Sequence, residues 1–365
     1  MAESEHFRFM RLALSLGARG VGLVWPNPAV GCVIVKEGRI VGRGFTRPGG
    51  RPHAETEALA QAGDAARGAT VYVGLEPCAH HGETPPCAGA LVQAGVARVV
   101  TPMEDPDPRV SGKGHAILRA AGIAVETGLL ETEARHLQAG FLSRIGRGRP
   151  MLTLKLAQSL DGRIATAGGE SRWITGPEAR REVHAMRARH DAVLIGAGTA
   201  RADDPMLTVR GLGIPRQPLR IVAARGLDLS FESALGASAR EVPLWLCHGP
   251  EAPPEARTAW EAKGARLLEV PSGPEGLDPG ALLQKLGAEG LTRVFCEGGG
   301  RFAASLLKAR LADRIALFSG GLALGAEGRP GLGPLGLAAL AEAPRFRLLE
   351  TRAVGGDTFQ LWEAS

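Results

Sequence analysis

A set of three residues able to bind a soft metal, with a carboxylate two places after the first, lies between Pro52 and Cys87. His53 and Glu55 lie in Pro52-His53-Ala54-Glu55, and two thiols, each preceded by proline, lie in Glu76-Pro77-Cys78 and Pro86-Cys87. One imidazole and two thiolates form a zinc ligand set, and three protein ligands leave the fourth position of a tetrahedral ion open to water. An open position marks a catalytic site rather than a structural one. Glu55, two residues from the ligand His, is the proton carrier that hydrolytic deamination of a nucleobase requires. A lone His or Cys is ordinarily core packing, but His-Ala-Glu followed by two Pro-Cys pairs is a far more demanding pattern. The commonest deaminase pattern has Cys-x-x-Cys, whereas here eight residues separate Cys78 from Cys87. The inserted His80-His81-Gly82-Glu83-Thr84-Pro85 lies beside the expected metal, within reach of a substrate.

These residues need elements to hold them. Phe7, Met10, Leu14 and Ala18 sit at helical spacing and predict an amphipathic helix over 4–17. Trp25-Pro26-Asn27-Pro28 reads as a rigid loop, in which Asn27 is either a turn residue or an amide that reads a base edge. Val30 to Val35 and Ile40 to Phe45, joined by Lys36-Glu37-Gly38, read as a hairpin. His53 to Ala62 and Pro86 to Ala94 read as helices, and Thr70 to Leu75, Val96 to Thr101 and Ile123 to Thr127 as strands. A further helix runs to Ser143. This alternation implies a layered α/β sheet. It places His53 and Cys87 in the first turns of two helices, where the helix dipole favours anionic groups. Arginines among glycines from Gly140 to Pro150 mark a boundary, with a linker over 144–150, a first domain over 1–145 and a second over 150–365.

The second half restarts with a strand from Met151 to Ala157 and a turn at Asp161-Gly162. An exposed loop through Trp173 then enters a helix at Pro177. Ala192 to Ile195 runs into Gly196-Ala197-Gly198-Thr199, a weak phosphate-site pattern that reads more readily as a turn. Asp203-Asp204-Pro205 suits a capped turn. Leu219 to Ala223, Val242 to Cys247 and Arg293 to Cys296 read as further strands. Glu297-Gly298-Gly299-Gly300 ends a strand and opens a helix, as either a pyrophosphate cradle or a place of close strand–helix packing.

The stretches from Pro26 to Val35, Pro52 to Glu55 and Glu76 to Cys87 resemble the N-terminal half of the bifunctional riboflavin-biosynthesis deaminase/reductase family. Lys155 to Arg163, Gly169 to Thr175, Ala202 to Arg210 and Glu297 to Gly300 are similar to its reductase half. The resemblance spans nearly the whole chain. It implies a cytidine-deaminase-like three-layer α/β domain followed by a dihydrofolate-reductase-like α/β domain. It also implies Zn²⁺ held by His53, Cys78 and Cys87, Glu55 as proton shuttle, and Asn27 and His80 on the pyrimidine. In the second half it implies NADPH bound by Ala157, Trp173, Thr199, Asp203 and the run Gly299, Gly300, Arg301, Phe302, Ala303, Ala304 and Ser305. Ser171, Arg187, Leu207, Arg210 and Glu297 would face the phosphoribosyl substrate, with Arg187 and Arg210 as phosphate clamps. Two positions depart from the family pattern. Glu83 stands where members carry Lys or Arg, and Ala224-Arg225 stands where a strand usually ends in Asp-Ser. Arg225 either meets the cofactor's 2′-phosphate or is solvated.

Composition narrows the alternatives. With 365 residues, 44% hydrophobic and 22% charged, the chain is expected to be globular with two domains. The first ten residues carry Glu3, Glu5 and Arg8, so neither a signal peptide nor a membrane helix is expected, and the expected location is cytoplasmic. Five cysteines are too few and odd in number for a disulfide framework. The net charge of +5 raises nucleic acid as a ligand, but the charges are interspersed and a single Tyr leaves few stacking platforms. The expected partner is a small molecule, with no nucleic acid or membrane, and a homo-oligomer is expected. Two rival readings remain: a deaminase of another nucleotide or of a nucleic-acid base, with a non-catalytic second domain, and a structural zinc joined to an assembly module.

Overall fold

The computed structural model describes residues 3–79 and 85–365 in two compact units, Met1–Gly148 and Arg149–Ser365. The first holds helices α1 (Glu3–Gly17), α2 (Ala54–Ala62), α3 (Cys87–Ala94), α4 (Lys113–Ala120) and α5 (Glu131–Arg147) around strands β1 (Gly31–Lys36), β2 (Arg39–Phe45), β3 (Thr70–Val73), β4 (Arg98–Thr101) and β5 (Ala124–Thr127). The sheet order is β2-β1-β3-β4-β5. β1 runs antiparallel to β2 and β3, and β3, β4 and β5 are parallel. The expected hairpin turns at Glu37 and Gly38, whose φ angles of 50° and 75° match the strand twist.

Glycines on β1 and β2 reveal the layering. A Cβ on Gly31 would overlap the Ala13 carbonyl of α1, and Cβ atoms on Gly42 and Gly44 would overlap the Ala58 and Ala54 carbonyls of α2. Gly44 pairs with Cys32 and Gly42 with Ile34, so they share the sheet face opposite Gly31. α1 and α2 therefore cover opposite faces. α5 packs on α1, while α3 packs on α2 and on α4, which gives the expected three layers. Two details differ from expectation. The face α1 buries is Phe9, Met10, Ala13, Leu14 and Leu16, with Phe7 only half-buried, because Gly31 and Gly17 draw the Ala13 side against β1. The helix expected to stop at Ser143 continues to Arg147 through Gly140 and Gly146, with Arg144 and Arg147 in its last turn and Gly148 as a left-handed cap. The connection to the next strand is three residues, 148–150.

The second unit is built on β6 (Met151–Ser159), β8 (Ala192–Gly196), β9 (Leu219–Ala223), β10 (Leu244–His248), β11 (Arg266–Glu269), β14 (Arg293–Cys296), β15 (Arg314–Gly320), β17 (Phe346–Val354) and β18 (Asp357–Ala364), in the order β11-β10-β9-β8-β14-β6-β15-β18-β17. Strands β11 through β15 of that order are parallel, and β18 and β17 extend the sheet antiparallel. Short ribbons β7 (Arg163–Ala165) with β16 (Arg329–Pro330), and β12 (Ser272–Gly273) with β13 (Gly276–Leu277), lie outside it. The helices are α6 (Pro177–Ala188), α7 (Ala197–Asp203), α8 (Ala234–Ala237), α9 (Pro254–Ala262), α10 (Pro279–Ala288) and α11 (Gly300–Lys308). β8, β14 and the first half of β6 are almost wholly buried apolar runs, as strands covered on both faces must be. The strands after Phe302 have no counterpart among the expected elements, although Val354-Gly355-Gly356-Asp357 is a two-residue hairpin signal. Among the described residues, no helix is long and apolar enough to cross a membrane.

The close approach of β1 to α1 yields a stability prediction. Gly31→Ala forces a methyl into the Ala13 carbonyl and lowers stability by about 1–3 kcal/mol. Gly38→Asn, at a left-handed position with open space around it, stays within about 0.5 kcal/mol of the native chain. Urea denaturation read on both variants checks the contrast.

Candidate active sites

In the first unit the metal ligands converge because two helices begin at the same place. His53 is the N-cap of α2 and Cys87 the first residue of α3, while Cys78 stands on the segment leaving β3. His53 Nδ1 lies 3.7 Å from Cys78 Sγ and 3.4 Å from Cys87 Sγ, and all three ligand atoms lie within 4.8 Å of one another. Ligands at ordinary Zn–S and Zn–N distances in a tetrahedron stand roughly 3.6 Å apart, so the spacing suits zinc. The charges agree. Hydrogen bonds from Cys87 and His53, against burial, hold the Cys78 thiol down to about 4. The bond to Cys78 and burial push the Cys87 thiol well up, and the bond to Cys78 raises the His53 imidazole. Two thiols this close can both ionise only against a cation.

Glu55, in the first turn of α2, is 4% exposed. Burial, with the Cys78 charge beside it, pushes its carboxyl up to about 7, and a hydrogen bond with Cys87 works the other way. A group at that point can both take and release a proton near neutral pH. Asn27 packs on Gly50 and donates from Nδ2 to the Gly50 carbonyl at 3.4 Å, three residues before His53. His80 and Glu83 lie outside the described residues. A loop from Asp105 to Lys113 flanks the site through Glu76, a buried carboxylate that the sequence reading did not single out. Glu76 accepts backbone N–H groups from Asp105, Gly112 and His115.

In the second unit β8 and β14 are neighbours, yet β8 leads through α7 toward β9 and β14 leads through α11 toward β15 on the other side. Crevices for nucleotides form at such a reversal, beyond the carboxyl ends of the strands. The two Gly-rich stretches meet there. A Cβ on Gly299 would sit 3.0 Å from Thr199 Oγ1, and one on Gly196 3.5 Å from Phe302. The two readings of Gly298-Gly299-Gly300 divide by position: close packing accounts for two of the glycines and leaves the third as a candidate for the cradle. A side chain at Gly298 would meet the Phe302 ring at 2.6 Å, and one at Gly300 the carbonyls of Pro330 and Gly331 at 3.2 Å. Gly299 instead faces Thr199 as the N-cap of α11, where N–H groups suit a pyrophosphate. Arg301 to Ser305 follow in the first turns of α11, with Ala303 and Ala304 buried. Ala157 lies near the carboxyl end of β6. Trp173 is 67% exposed, with Arg180 over its ring at 4.4 Å. Arg172 ties that loop to the Asp203 carbonyl at 3.1 Å.

The candidate substrate residues form a charged cluster. Arg187 grips Glu297 at 2.5 and 3.0 Å and donates to the Thr208 carbonyl at 2.8 Å. Burial works to raise the Glu297 carboxyl, but Arg187, Lys155 and His184 together hold it below the ordinary carboxylate range. Arg187 is thus committed to Glu297, whereas Arg210 is exposed and meets the cluster through its backbone N–H, 3.3 Å from His184 Nδ1. Leu207 is buried at a φ of 54° beside Thr208. Ser171 precedes the Arg172 contact and is half-buried. Arg225 pairs with Glu251 at 3.2 Å and donates to the Gly273 carbonyl at 3.0 Å. Lys155 and His184 escaped the sequence reading. Lys155 was legible as a charge in an otherwise apolar strand, and His184 as the residue one turn before Arg187 on the same helix face.

Comparison with known proteins adds matches of three kinds. Residues 3–103 match the cytidine and deoxycytidylate deaminase zinc-binding region, and residues 150–359 match the RibD C-terminal domain. The riboflavin biosynthesis protein RibD of Escherichia coli is 44% identical, and that of Aquifex aeolicus 42% identical, each over 96% of both chains. The structure of Acinetobacter baumannii RibD is similar with a TM-score of 0.90 and 38% identity, covering 99% of both chains. A Thermotoga maritima protein described as a diaminohydroxyphosphoribosylaminopyrimidine deaminase/5-amino-6-(5-phosphoribosylamino)uracil reductase is similar with a TM-score of 0.87 and 33% identity over 100% of both chains.

The Asp105 loop carries a pH prediction. Burial pushes the Asp105 carboxyl up to about 7, above the roughly 3.9 of an unfolded aspartate. Between about pH 4 and 7 the folded chain therefore holds a proton the unfolded chain has lost, so stability falls as pH rises through that window. Asp105→Asn removes Asp105's share of this falling slope and leaves that of Glu55, raised to the same value, so thermal midpoints of the first unit from about pH 4 to 8 fall less steeply than in the native chain.

Proposed function

The chain belongs to the RibD family of riboflavin biosynthesis proteins, and from that premise we propose which of its residues carry which step. It is a bifunctional enzyme of riboflavin biosynthesis, a zinc-dependent deaminase in its first unit and an NADPH-dependent reductase in its second. The proposed substrate is 2,5-diamino-6-ribosylamino-4(3H)-pyrimidinone 5′-phosphate, deaminated at its 2-amino group and then reduced at its ribosyl side chain to ribityl. The observation that carries the first step is the convergence of His53, Cys78 and Cys87 beside a buried Glu55.

His53 Nδ1 and the sulfurs of Cys78 and Cys87 would hold the zinc ion. When bound, zinc supplies the Lewis acidity that makes water a nucleophile near neutral pH. Glu55 takes up the proton that water releases and returns it to the departing nitrogen, so that ammonia leaves as the ring carbonyl forms. Asn27 and His80 hold the pyrimidine.

When bound in the second unit, NADPH would supply the hydride that reduces C1′ of the opened ribosyl group. The chain's own residues position and exclude. The amides opening α11 and the Thr199 hydroxyl hold the pyrophosphate, with Ala157, Trp173, Asp203 and the run to Ser305 completing the cofactor site. Glu297, kept ionised and oriented by Arg187, accepts hydrogen bonds from ribosyl hydroxyls. Arg210 binds the phosphate, and Ser171 and Leu207 line the substrate. Self-association in the cytoplasm completes the proposal. It is supported by β17, which ends the sheet as an open edge with Leu348 exposed, and light scattering that reads a monomer would remove it.

Incubating the protein with the diamino-pyrimidinone phosphate tests both halves. Ammonia appears with or without NADPH, and NADPH oxidation follows deamination. Glu55→Gln slows ammonia release by about 10²–10⁴-fold while zinc stays bound. Undiminished deamination removes Glu55 from its role and restores the structural-zinc rival. Glu297→Gln strands the buried Arg187 charge, costs about 3 kcal/mol of stability, and depresses NADPH oxidation with ammonia release intact.

A further inference from the structure

We propose that Glu76 is a positioning residue for the zinc-binding thiolate of Cys78, acting through the backbone of Pro77. This rests on the reading of His53, Cys78 and Cys87 as zinc ligands. Glu76 is 3% exposed, and it meets three backbone donors rather than a close cation. Its Oε2 accepts the Asp105 N–H at 3.0 Å and the Gly112 N–H at 2.9 Å, and its Oε1 accepts the His115 N–H at 3.1 Å. Among the described residues, the basic group recorded beside it is His115 Nδ1, at 4.0 Å. Backbone amides are placed by the fold, so a carboxylate satisfied by them is a fixed anchor, and leaving it unsatisfied in a buried place is costly.

The next residue is clamped from the other side. The Pro77 carbonyl presses on Gly114 at the start of α4 so closely that a Cβ there would overlap it. Pro77 itself has a fixed φ, which passes the position of Glu76 on to Cys78 with little slack. Downstream, the Cys78 carbonyl accepts the Ala88 N–H at 3.2 Å and the Cys78 sulfur accepts the Cys87 N–H at 3.3 Å. The thiolate is thus held upstream by the Asp105–His115 segment and downstream by the first turn of α3. Metal ligands tolerate displacements of only about 0.2 Å, so the upstream anchor governs the metal and not merely the packing. Glu76 itself touches neither metal ligand atoms nor the reacting groups, and the mechanism above does not use it.

The test is zinc affinity of the full-length chain, measured by competition with a chromogenic chelator. The visible spectrum of the Co²⁺-substituted protein reports the thiolate geometry. Glu76→Gln keeps the size of the side chain but turns one accepting oxygen into a donor facing N–H groups. It is expected to weaken zinc by roughly 10- to 100-fold and to change the Co²⁺ thiolate bands, with NADPH oxidation by the second unit unchanged when the deaminated product is supplied directly. Thr101→Val is the comparison. It removes the Thr101–His115 side-chain contact of 3.0 Å, loosening the same helix without touching Glu76, and is expected to lower the melting point while leaving zinc affinity intact. Wild-type zinc affinity in Glu76→Gln, or an equal loss in Thr101→Val, overturns the proposal. Should Glu76→Gln yield no folded first unit, Gly114→Ala decides: its methyl would press on both the Pro77 carbonyl and Glu76 Oε1, the latter at 3.1 Å, and so disturbs the anchor with the carboxylate still present; weakened zinc supports the proposal and unchanged zinc overturns it. Cys78→Ser separates the two levels. If it retains wild-type zinc, the ligand reading falls and takes this one with it. If it loses zinc while Glu76→Gln does not, only the positioning role falls.

Discussion

Two thiols and an imidazole within 4.8 Å of one another set a demand that the rest of the first unit meets. Like charges at that separation repel, and burial adds a desolvation penalty for each. The fold answers with geometry. The N-termini of α2 and α3 point at the cluster, and the Cys87 amide donates to the Cys78 sulfur, so part of the compensation is built into the backbone before any metal binds. The same burial that strains the thiols raises Glu55 to about 7. One environment therefore shapes both the candidate metal site and the carboxyl proposed as proton carrier.

The second unit solves a different problem with a related device. Hydride transfer needs no activated nucleophile, only groups held in place. Its cluster is an ion pair, Arg187 with Glu297, reinforced by the Thr208 carbonyl. A buried pair of this kind adds little to stability relative to apolar packing, so its value lies in orientation. Glu297 directly follows β14 and Thr199 lies in the first turn of α7, just past β8, beyond the two strands where the sheet reverses direction. Placing the charged cluster and the glycine cradle at one reversal brings the candidate substrate and cofactor groups to the same end of the sheet.

Much of this was legible in the chain. The ligand residues, Glu55, the hairpin at Glu37-Gly38 and the alternation of strands and helices follow from residue type and local period, because turn chemistry and amphipathic spacing act over a few residues. The face of α1 was misjudged where helical spacing alone proposed Phe7 and the contact with Gly31 chose Ala13. The length of α5 was misjudged because glycines usually end helices, and its last-turn arginines and packing on α1 overrode that preference.

Residue identity by itself thus determined a zinc ligand set beside a carboxylate and the family to which the chain belongs, while the glycine-rich stretch at Gly298 to Gly300 stayed open between a phosphate cradle and close packing. Only the tertiary structure decided how long-range partners share that chemistry. It committed Arg187 to Glu297 across 110 residues of chain, divided the three glycines between packing and Thr199, and made Glu76 the anchor of a loop 29 to 39 residues away. The reason is physical. Ligand type and turn preference are properties of a residue and its neighbours, whereas a buried hydrogen bond or ion pair exists only once the fold has removed water from both partners and brought them together.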